Sequence, residues 1–410
     1  MKKSIIYVGN FFFPDGNAAG KRVLGNVKII NQCGYTPIVL CFQKKQEKYL
    51  EKRYIEGITV YTIPYSDGLK RLNNKKPFNA FRSILENAEK EYKISAVIMY
   101  TTMGTFDFNK KIISLCKKRS IKTVYDFCDY FDVIQKDNLF KYIIKTRDLK
   151  ILRNNVLKKC DGIISISSYL KNFVKRDCPN VIIPPLSVKR CEYPENRKDK
   201  DNIVISYASY LSDKNRPVEE WKDRIDLIID TFYGLQEKYK NDNFLLKFIG
   251  FTKEAFINML PSELKNEYEN KIDLLGSRLV FLGECENEVS QSEICSSDYT
   301  ILLRDSKVST NAGFPTKISE SLSLGIPAIT NLTSDIGNYV IDDKNGFIVS
   351  GPSNMGETVE KVNDIISLGS KKAYELKKNA VTESAFYYMN FVNEFNDFIC
   401  ELTGDINDIQ

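Results

Sequence analysis

The sequence predicts an α/β chain built as two doubly wound, Rossmann-like domains. Three observations carry this expectation. The chain has 410 residues, enough for two domains with a core each. Short apolar runs with strand character alternate with helical periodicities along most of its length, as in parallel sheets covered by helices on both faces. A polar, charged stretch from Pro184-Pro185 to Asn202 divides the chain and reads as a linker. The expected domains are residues 1–190 and 203–383, with a closing helical segment over 384–410.

The elements follow in order. Ser4–Gly9 is a first strand; Gly9-Asn10 and the lack of a small-residue cleavage site argue against a signal peptide. A turn over Asn10–Gly20 leads into a helix reaching about Cys33, with Val23, Val27 and Ile30 at helical spacing and Gly34 as its stop. This strand–loop–helix unit lacks the G-x-G-x-x-G fingerprint of dinucleotide sites. Its small residues, Gly16, Ala18, Ala19 and Gly20, would let backbone approach a ligand closely. Lys21 and Arg22 face either phosphate or solvent. Strands are expected at Pro37–Phe42, Ile58–Ile63, Ala96–Tyr100, Lys122–Phe127 and Gly162–Ser167. Ligands of such folds sit beyond the carboxyl ends of strands, where Asp126 and Asp129 lie. These two either position a substrate or cap the next segment. Leu139–Cys160 reads as one long helix carrying Lys141, Lys145, Arg147, Lys150, Arg153, Lys158 and Lys159 against a single acid, Asp148. With Ile144, Leu152 and Val156 as an apolar stripe, it suits either a bilayer surface or a half-buried packing role.

The second domain opens with a strand, Val204–Ser209. A loop with Lys214, Arg216, Pro217 and Lys222 follows, then a helix from Asp223 to about Tyr239. Further expected elements are a strand at Leu245–Gly250, a helical insertion at Glu254–Lys271 and a strand at Leu279–Gly283. A helix at Asn287–Ser296 and a strand at Tyr299–Leu303, ending in Arg304-Asp305, come next. The stretch Asn311–Thr330 is the most informative. Gly313-Phe314-Pro315 forms a turn, and Pro315 suits a helix start because its φ is fixed and no donor is needed. Thr316 would cap the first N–H groups. Ile318 and Leu322 share one helix face and Glu320 points the other way. Gly325 ends the helix, Pro327 blocks its continuation, and Pro-Ala-Ile-Thr reads as a buried strand. The product is a helix N-terminus with a carboxylate about one turn inside it. Such an end attracts phosphate, and the acid suits sugar hydroxyls. The plainer reading is a loop–helix–strand unit with a solvated Glu. A helix at Ser334–Val340, the strand GFIVSG and three closing helices complete the chain.

Composition excludes several chemistries. There is no histidine, which rules out Ser-His-Asp and Cys-His catalysis and His-ligated metal sites. Ten cysteines without a C-x-x-C pair read as reduced thiols filling the core. No run of about 18 apolar residues suggests a membrane span. No helix-turn-helix, zinc or RNP-type pattern points to nucleic acid. The net charge of +6 conceals an asymmetry: residues 1–190 carry 36 Lys and Arg against 16 Asp and Glu, and the remainder 23 against 37. A basic first half suggests an anionic contact, such as the inner face of a membrane reached from the cytoplasm. The alternative is a highly soluble basic domain.

The run Gly313-Phe314-Pro315-Thr316-Lys317-x-x-Glu320, followed by Leu324-Gly325-x-Pro327, resembles the donor-site signature of the family-4 glycosyltransferases. Those are retaining, nucleotide-sugar-dependent enzymes of the GT-B type, with two Rossmann-like domains facing a cleft. The opening NFFFPDGNAAGKRV is similar to that of members engaged in polysaccharide assembly. The resemblance implies a first domain that binds the acceptor, a second that binds the nucleotide sugar, and a last helix that crosses back to the first. For that contact Phe386, Tyr387, Phe391 and Phe395 are the candidates. It also implies a donor site made of Arg216, Lys222, Arg304, Gly313, Phe314, Pro315, Thr316, Lys317 and Glu320, with Glu320 on the nucleotide ribose. Lys214 competes with Arg216 for the diphosphate. Gly16, Asn17, Gly20, Asp126 and Asp129 fall on the acceptor side, and Asp126, Lys222 and Glu320 are the candidate catalytic groups. Family members often carry a second glutamate at the place of Ala312, whose side chain cannot hydrogen-bond a sugar. The sequence requires no metal, and no cofactor is implied. The expected function is transfer of a sugar from a nucleotide diphosphate to a glycan or lipid-linked acceptor in cell-surface polysaccharide synthesis. The alternatives are a non-catalytic subunit of the same fold that binds nucleotide or glycan, and a nucleotide-sugar epimerase or phosphorylase.

Overall fold

The computed structural model describes residues 1–14, 16–43, 50–64, 75–131, 139–192, 202–211 and 217–404. The chain forms two units. One comprises Met1–Val188 together with Tyr388–Gln410, the other Lys189–Tyr387.

The first unit is built on an eight-stranded sheet: β1 (Lys2–Gly9), β2 (Thr36–Gln43), β3 (Glu51–Ile55), β4 (Ile58–Pro64), β5 (Tyr92–Tyr100), β6 (Lys122–Phe127), β7 (Gly162–Ser165) and β8 (Asn180–Ile182). The strand order is β3-β4-β2-β1-β5-β6-β7-β8, parallel throughout except for β3, which runs antiparallel to β4. The central strands are apolar without alternation because helices cover both faces; Ile5, Ile6, Tyr7 and Val8 are fully buried. The two strands not anticipated from sequence lie at the edges. In β3 half-buried and exposed residues alternate, and β8 has three residues.

The second unit holds a six-stranded, wholly parallel sheet: β9 (Ile203–Ala208), β10 (Phe244–Ile249), β11 (Leu279–Phe281), β12 (Tyr299–Leu302), β13 (Ala328–Thr330) and β14 (Gly346–Ile348). Its order is β11-β10-β9-β12-β13-β14. The winding therefore reverses between β9 and β12, and a crevice opens at the carboxyl ends of those strands in such a sheet. Two helical expectations change here. The insertion is two helices, Lys253–Met259 and Ser262–Leu275, because Pro261 cannot continue the first. Ser334–Val340 yields a single 3-10 turn, Ile336–Asn338, with Gly337 at its centre.

The basic segment after β6 is a helix over Leu139–Ile151 that widens into a π-turn at Leu152–Val156. Leu149, Leu152 and Val156 are buried against the helix Phe106–Lys118. Leu152 and Val156 of the apolar stripe are thus used inside the unit, while Ile144 is half-buried. Tyr142, Ile143, Arg147, Lys150 and Arg153 form the exposed face instead. Asp148, 5 % exposed, accepts the backbone N–H of Gly104 and ties this helix to the loop after β5. No helix among the described residues is long and apolar enough to cross a membrane.

The chain returns to the first unit at Tyr388, whose N–H donates to the Ser187 carbonyl at 3.0 Å. The last helix, Val392–Thr403, packs on the helix Ala18–Gln32 and on β8. Gly162 at the start of β7 admits it closely: a Cβ there would stand 3.0 Å from both Leu402 and Phe398. Phe391 and Phe395 are buried within this unit. Phe386 and Tyr387 belong to the second unit, where Phe386 stacks on Tyr339 at 4.7 Å and meets Phe314 edge-on at 5.5 Å.

Candidate functional site

The site is assembled at the reversal point of the second sheet. Its base is the helix Thr316–Ser323, whose Ile318 and Leu322 are buried while Glu320 is half-buried. Ser321 fixes the helix to the sheet: its Oγ lies 2.6 Å from Thr300 Oγ1 on β12 and donates to the Ile326 carbonyl at 2.7 Å. Pro315 occupies the cap position, with φ −73° and ψ 105°, and makes no side-chain cap bond. Thr316 is the first helical residue and exposed, so the capping role expected of it is not filled. The helix N-terminus therefore keeps its partial positive charge without a side-chain cap at that position. Gly325, at φ +72°, ends the helix as the sequence indicates.

Lys317 turns from this helix toward Asp223. Its Nζ donates to Asp223 Oδ2 at 2.7 Å and lies 5.4 Å from the centre of the Tyr207 ring. Arg304, two residues beyond β12 and 4 % exposed, donates from Nε to Asp223 Oδ1 at 2.6 Å. The Tyr207 hydroxyl, near the carboxyl end of β9, donates to Asp223 Oδ2 at 2.9 Å. Asp223 thus holds two cations and a phenol together. Burial alone would raise its carboxyl pKa, but Lys317 and Arg304 outweigh burial and hold it well below the usual carboxylate range. The carboxylate neutralises one cation of two, so the cluster keeps a net positive charge beside a helix N-terminus. Arg304 Nη1 is buried and makes no hydrogen bond. A narrow crevice next to the cluster is lined by Ser206, Tyr207 and Ala208 of β9, by Thr300 of β12, and by Lys317 and Glu320. The arrangement can accept an anion at its cationic end and hydroxyl groups at Glu320.

The residues singled out from sequence fall into several groups. Lys317, Arg304 and Glu320 are brought to this one end of the sheet. Lys222 is exposed and its neighbour Asp223, which sequence reasoning missed, is the hub. Arg304 pairs with Asp223, while Asp305 is engaged by Arg224 at 3.0 Å and Lys307 at 2.8 Å. Phe314 is a core residue, 4 % exposed and edge-on to Tyr339 at 5.4 Å, so it offers no face to a ligand. Gly313 and Pro315 are buried beside it. Ala312 is fully buried at the end of the short helix Val308–Ala312. Arg216 and Lys214 lie outside the described residues.

In the first unit, Asp126 is the last residue but one of β6, with its side chain out of contact with solvent. Arg22 grips it, with Nη2 at 2.7 Å and Nε at 3.1 Å from its oxygens, and the Tyr7 hydroxyl also donates to it. An enclosed carboxylate of this kind positions Arg22 and Tyr7; a substrate hydroxyl would reach it only if the pair opened. Asp129 is exposed three residues further on. Asn17 caps the helix Ala18–Gln32, its Oδ1 accepting the Gly20 N–H at 2.8 Å. Gly16 sits exposed in the preceding turn. Gly20 is required by its own loop: a Cβ there would lie 2.1 Å from the Phe12 carbonyl oxygen. The close approach foreseen for a ligand is made by backbone. Among the described residues, no three His, Cys, Asp or Glu side chains are grouped to hold a metal.

Comparisons with known proteins bear on this end of the second unit and on the fold as a whole. A search of curated protein sequences found no match to the chain. Many solved structures share its architecture. Sucrose-phosphate synthase from Thermosynechococcus elongatus superposes with a TM-score of 0.66 at 13% identity, covering 98% of this chain and 99% of its own. The catalytic domain of starch synthase IV from Arabidopsis thaliana, solved bound to ADP and acarbose, gives 0.66 at 10% identity over 98% and 99%. A glycosyltransferase from Rickettsia africae gives 0.65 at 16% identity over 99% and 100%. Likeness at such low identity, sustained over the whole length, establishes the fold as the two-Rossmann-domain GT-B type. Residues 194–382, which include Asp223, Arg304, Lys317 and Glu320, match the model of the family "Glycosyl transferases group 1".

Proposed function

We propose that the chain is a glycosyltransferase that takes a sugar from a nucleotide-diphosphate donor bound by the second unit. The observation that carries this reading is the Lys317–Asp223–Arg304 cluster at an uncapped helix N-terminus, with Glu320 one turn away. A diphosphate meets the Lys317 ammonium and the helix end; the ribose hydroxyls meet the Glu320 carboxylate. As the glycosidic bond breaks, negative charge grows on the leaving diphosphate. Fixed positive groups already in place stabilise that charge without reorganising. The match of residues 194–382 to a glycosyltransferase family supports the same reading.

The finer expectations belong here too. We assign the acceptor, a glycan or a lipid-linked sugar, to the first unit, and retention of configuration to the reaction, both by the resemblance of the 313–327 motif to family 4. With no histidine in the chain, the acceptor proton passes to the leaving phosphate or to a carboxylate. The exposed cations Arg147, Lys150 and Arg153, beside Tyr142 and Ile143, support docking on an anionic membrane during cell-surface polysaccharide synthesis. A second reading rests on Ala312. No carboxylate is available at that buried position, which suits a subunit that binds nucleotide without turnover.

Two measurements separate these readings. Titration calorimetry with uridine, guanosine and adenosine diphosphates tests binding, and absence of heat with all three would remove the donor site. Release of free nucleotide from a panel of nucleotide sugars, with and without glycan acceptors, then tests turnover. Binding without release would select the non-catalytic subunit.

A further inference from the structure

Tyr210 is 66 % exposed, yet its hydroxyl is fixed, donating to the Cys285 carbonyl at 3.0 Å. The backbone beneath it is stitched across three neighbouring strands. The Ser209 N–H donates to the Ile249 carbonyl at 2.9 Å, and the Gly250 N–H to the Gly283 carbonyl at 2.9 Å. These bonds join the carboxyl ends of β9, β10 and β11, which are adjacent in the sheet. Gly250 makes the crossing possible: it sits at φ +98°, and a Cβ there would stand 2.5 Å from the Ser209 carbonyl oxygen. The chain leaving β9 thus folds closely over the end of β10. The Tyr210 side chain continues in the same direction to the loop after β11. Two residues before it, Ala208 lines the crevice shared by Lys317 and Glu320. Two residues of chain reach at most about 7 Å, so the ring begins beside that crevice.

We propose that Tyr210 is the platform on which the nucleobase of the donor stacks. The inference rests on the reading above that a nucleoside diphosphate occupies this edge of the sheet. With the diphosphate at Lys317 and the ribose at Glu320, the base lies beyond Glu320, on the side where Leu324, Ala208 and Cys285 pack on one cluster with Ile249, Ile294 and Ile326. There an aromatic ring stands in water with its far end pinned. The pin matters because a ring held by a main-chain carbonyl loses little rotational freedom when a base settles on it. Stacking on a π-face tolerates any base, so Tyr210 contributes affinity without choosing among uracil, guanine and adenine.

Titration calorimetry on the full chain tests this, with uridine, guanosine and adenosine diphosphates and inorganic pyrophosphate as probes. Tyr210→Ala should weaken the tightest nucleoside diphosphate by about 5- to 150-fold, the range for loss of one base-stacking ring. Pyrophosphate binding should stay at the wild-type value, and Tyr210→Trp should retain nucleotide affinity. Lys317→Ala should weaken both classes of probe. If Tyr210→Ala binds nucleoside diphosphates like the wild type, or loses pyrophosphate equally, the platform is refuted; a loss in Lys317→Ala alone would still uphold the donor site. If the wild type binds pyrophosphate but no nucleoside diphosphate, both the platform and the donor-site reading fall.

Discussion

Asp223→Asn keeps the shape of the side chain and removes its charge. In the wild type that charge faces Arg304 at 2.6 Å and Lys317 at 2.7 Å. Arg304 has 5% of its side chain in water and Lys317 26%. Removing one partner of a buried ion pair costs about 3–5 kcal/mol, because the remaining charge stays desolvated and unpaired. Lys317 can turn toward solvent and recover part of that, so the expected loss is about 2–4 kcal/mol. For a domain the size of the second unit this lowers the melting temperature by about 4–16 °C. Differential scanning calorimetry should show the transition of the second unit displaced by that amount. Inorganic pyrophosphate adds the second half of the test. In the variant two cations lack a counter-charge, so pyrophosphate should bind more tightly and restore more of the lost stability than it adds to the wild type. A variant that melts with the wild type, or gains no more than the wild type from pyrophosphate, would refute the view of Asp223 as the charge that holds an anion site open.

Other substitutions probe the remaining links. Glu320→Ala should weaken nucleoside diphosphate binding by about 1–3 kcal/mol in titration calorimetry, the scale of a lost charged hydrogen bond; unchanged affinity removes Glu320 from the site. Asp126→Asn should destabilise the first unit by about 3–5 kcal/mol in chemical denaturation, because Arg22 loses its buried counter-charge, while pyrophosphate binding by the second unit stays unchanged. Burial pushes the Asp148 carboxyl up to about 6. Its folded pKa thus exceeds its unfolded one, so the proton it takes up stabilises the fold at low pH, and that stability is lost as pH rises through about 6. Melting temperatures followed between about pH 4 and 7 should show the decline in the wild type and a smaller one in Asp148→Asn. Anionic liposomes should pellet the protein at low salt and release it at high salt, and Lys150→Glu with Arg153→Glu should weaken the pelleting; no pelleting of the wild type at low salt ends the membrane reading.

The architecture was legible because buried parallel strands announce themselves. Ile5–Val8 or Lys122–Phe127 need no long-range information to be read as strands. β3 and β8 were not legible, since an edge strand is half polar and a three-residue strand has no periodicity. Pro261 was visible and still outweighed by the helical pattern around it. At the site, the helix start after Pro315 and the outward Glu320 follow from local rules. The role of Asp223 does not, because its partners lie 81 and 94 residues away. For the same reason Asp126 looked like a substrate ligand: its partner Arg22 is 104 residues distant, and only folding reveals that the pair satisfies itself. Phe314 stood within the motif, yet its neighbours Tyr339 and Phe386 make it core.

The return of the chain at Tyr388 sets an order of events during synthesis. Lys189–Tyr387 is one continuous stretch, so every residue of the second unit is made before the segment that completes the first. The first unit starts earlier and closes later. Until Phe395, Phe398 and Leu402 emerge, the surface around Gly162 and the helix Ala18–Gln32 stays bare. A chain cut after residue 390 would therefore keep every residue of the second unit and lose the segment that covers the first, and holdase chaperones should bind the portion translated first.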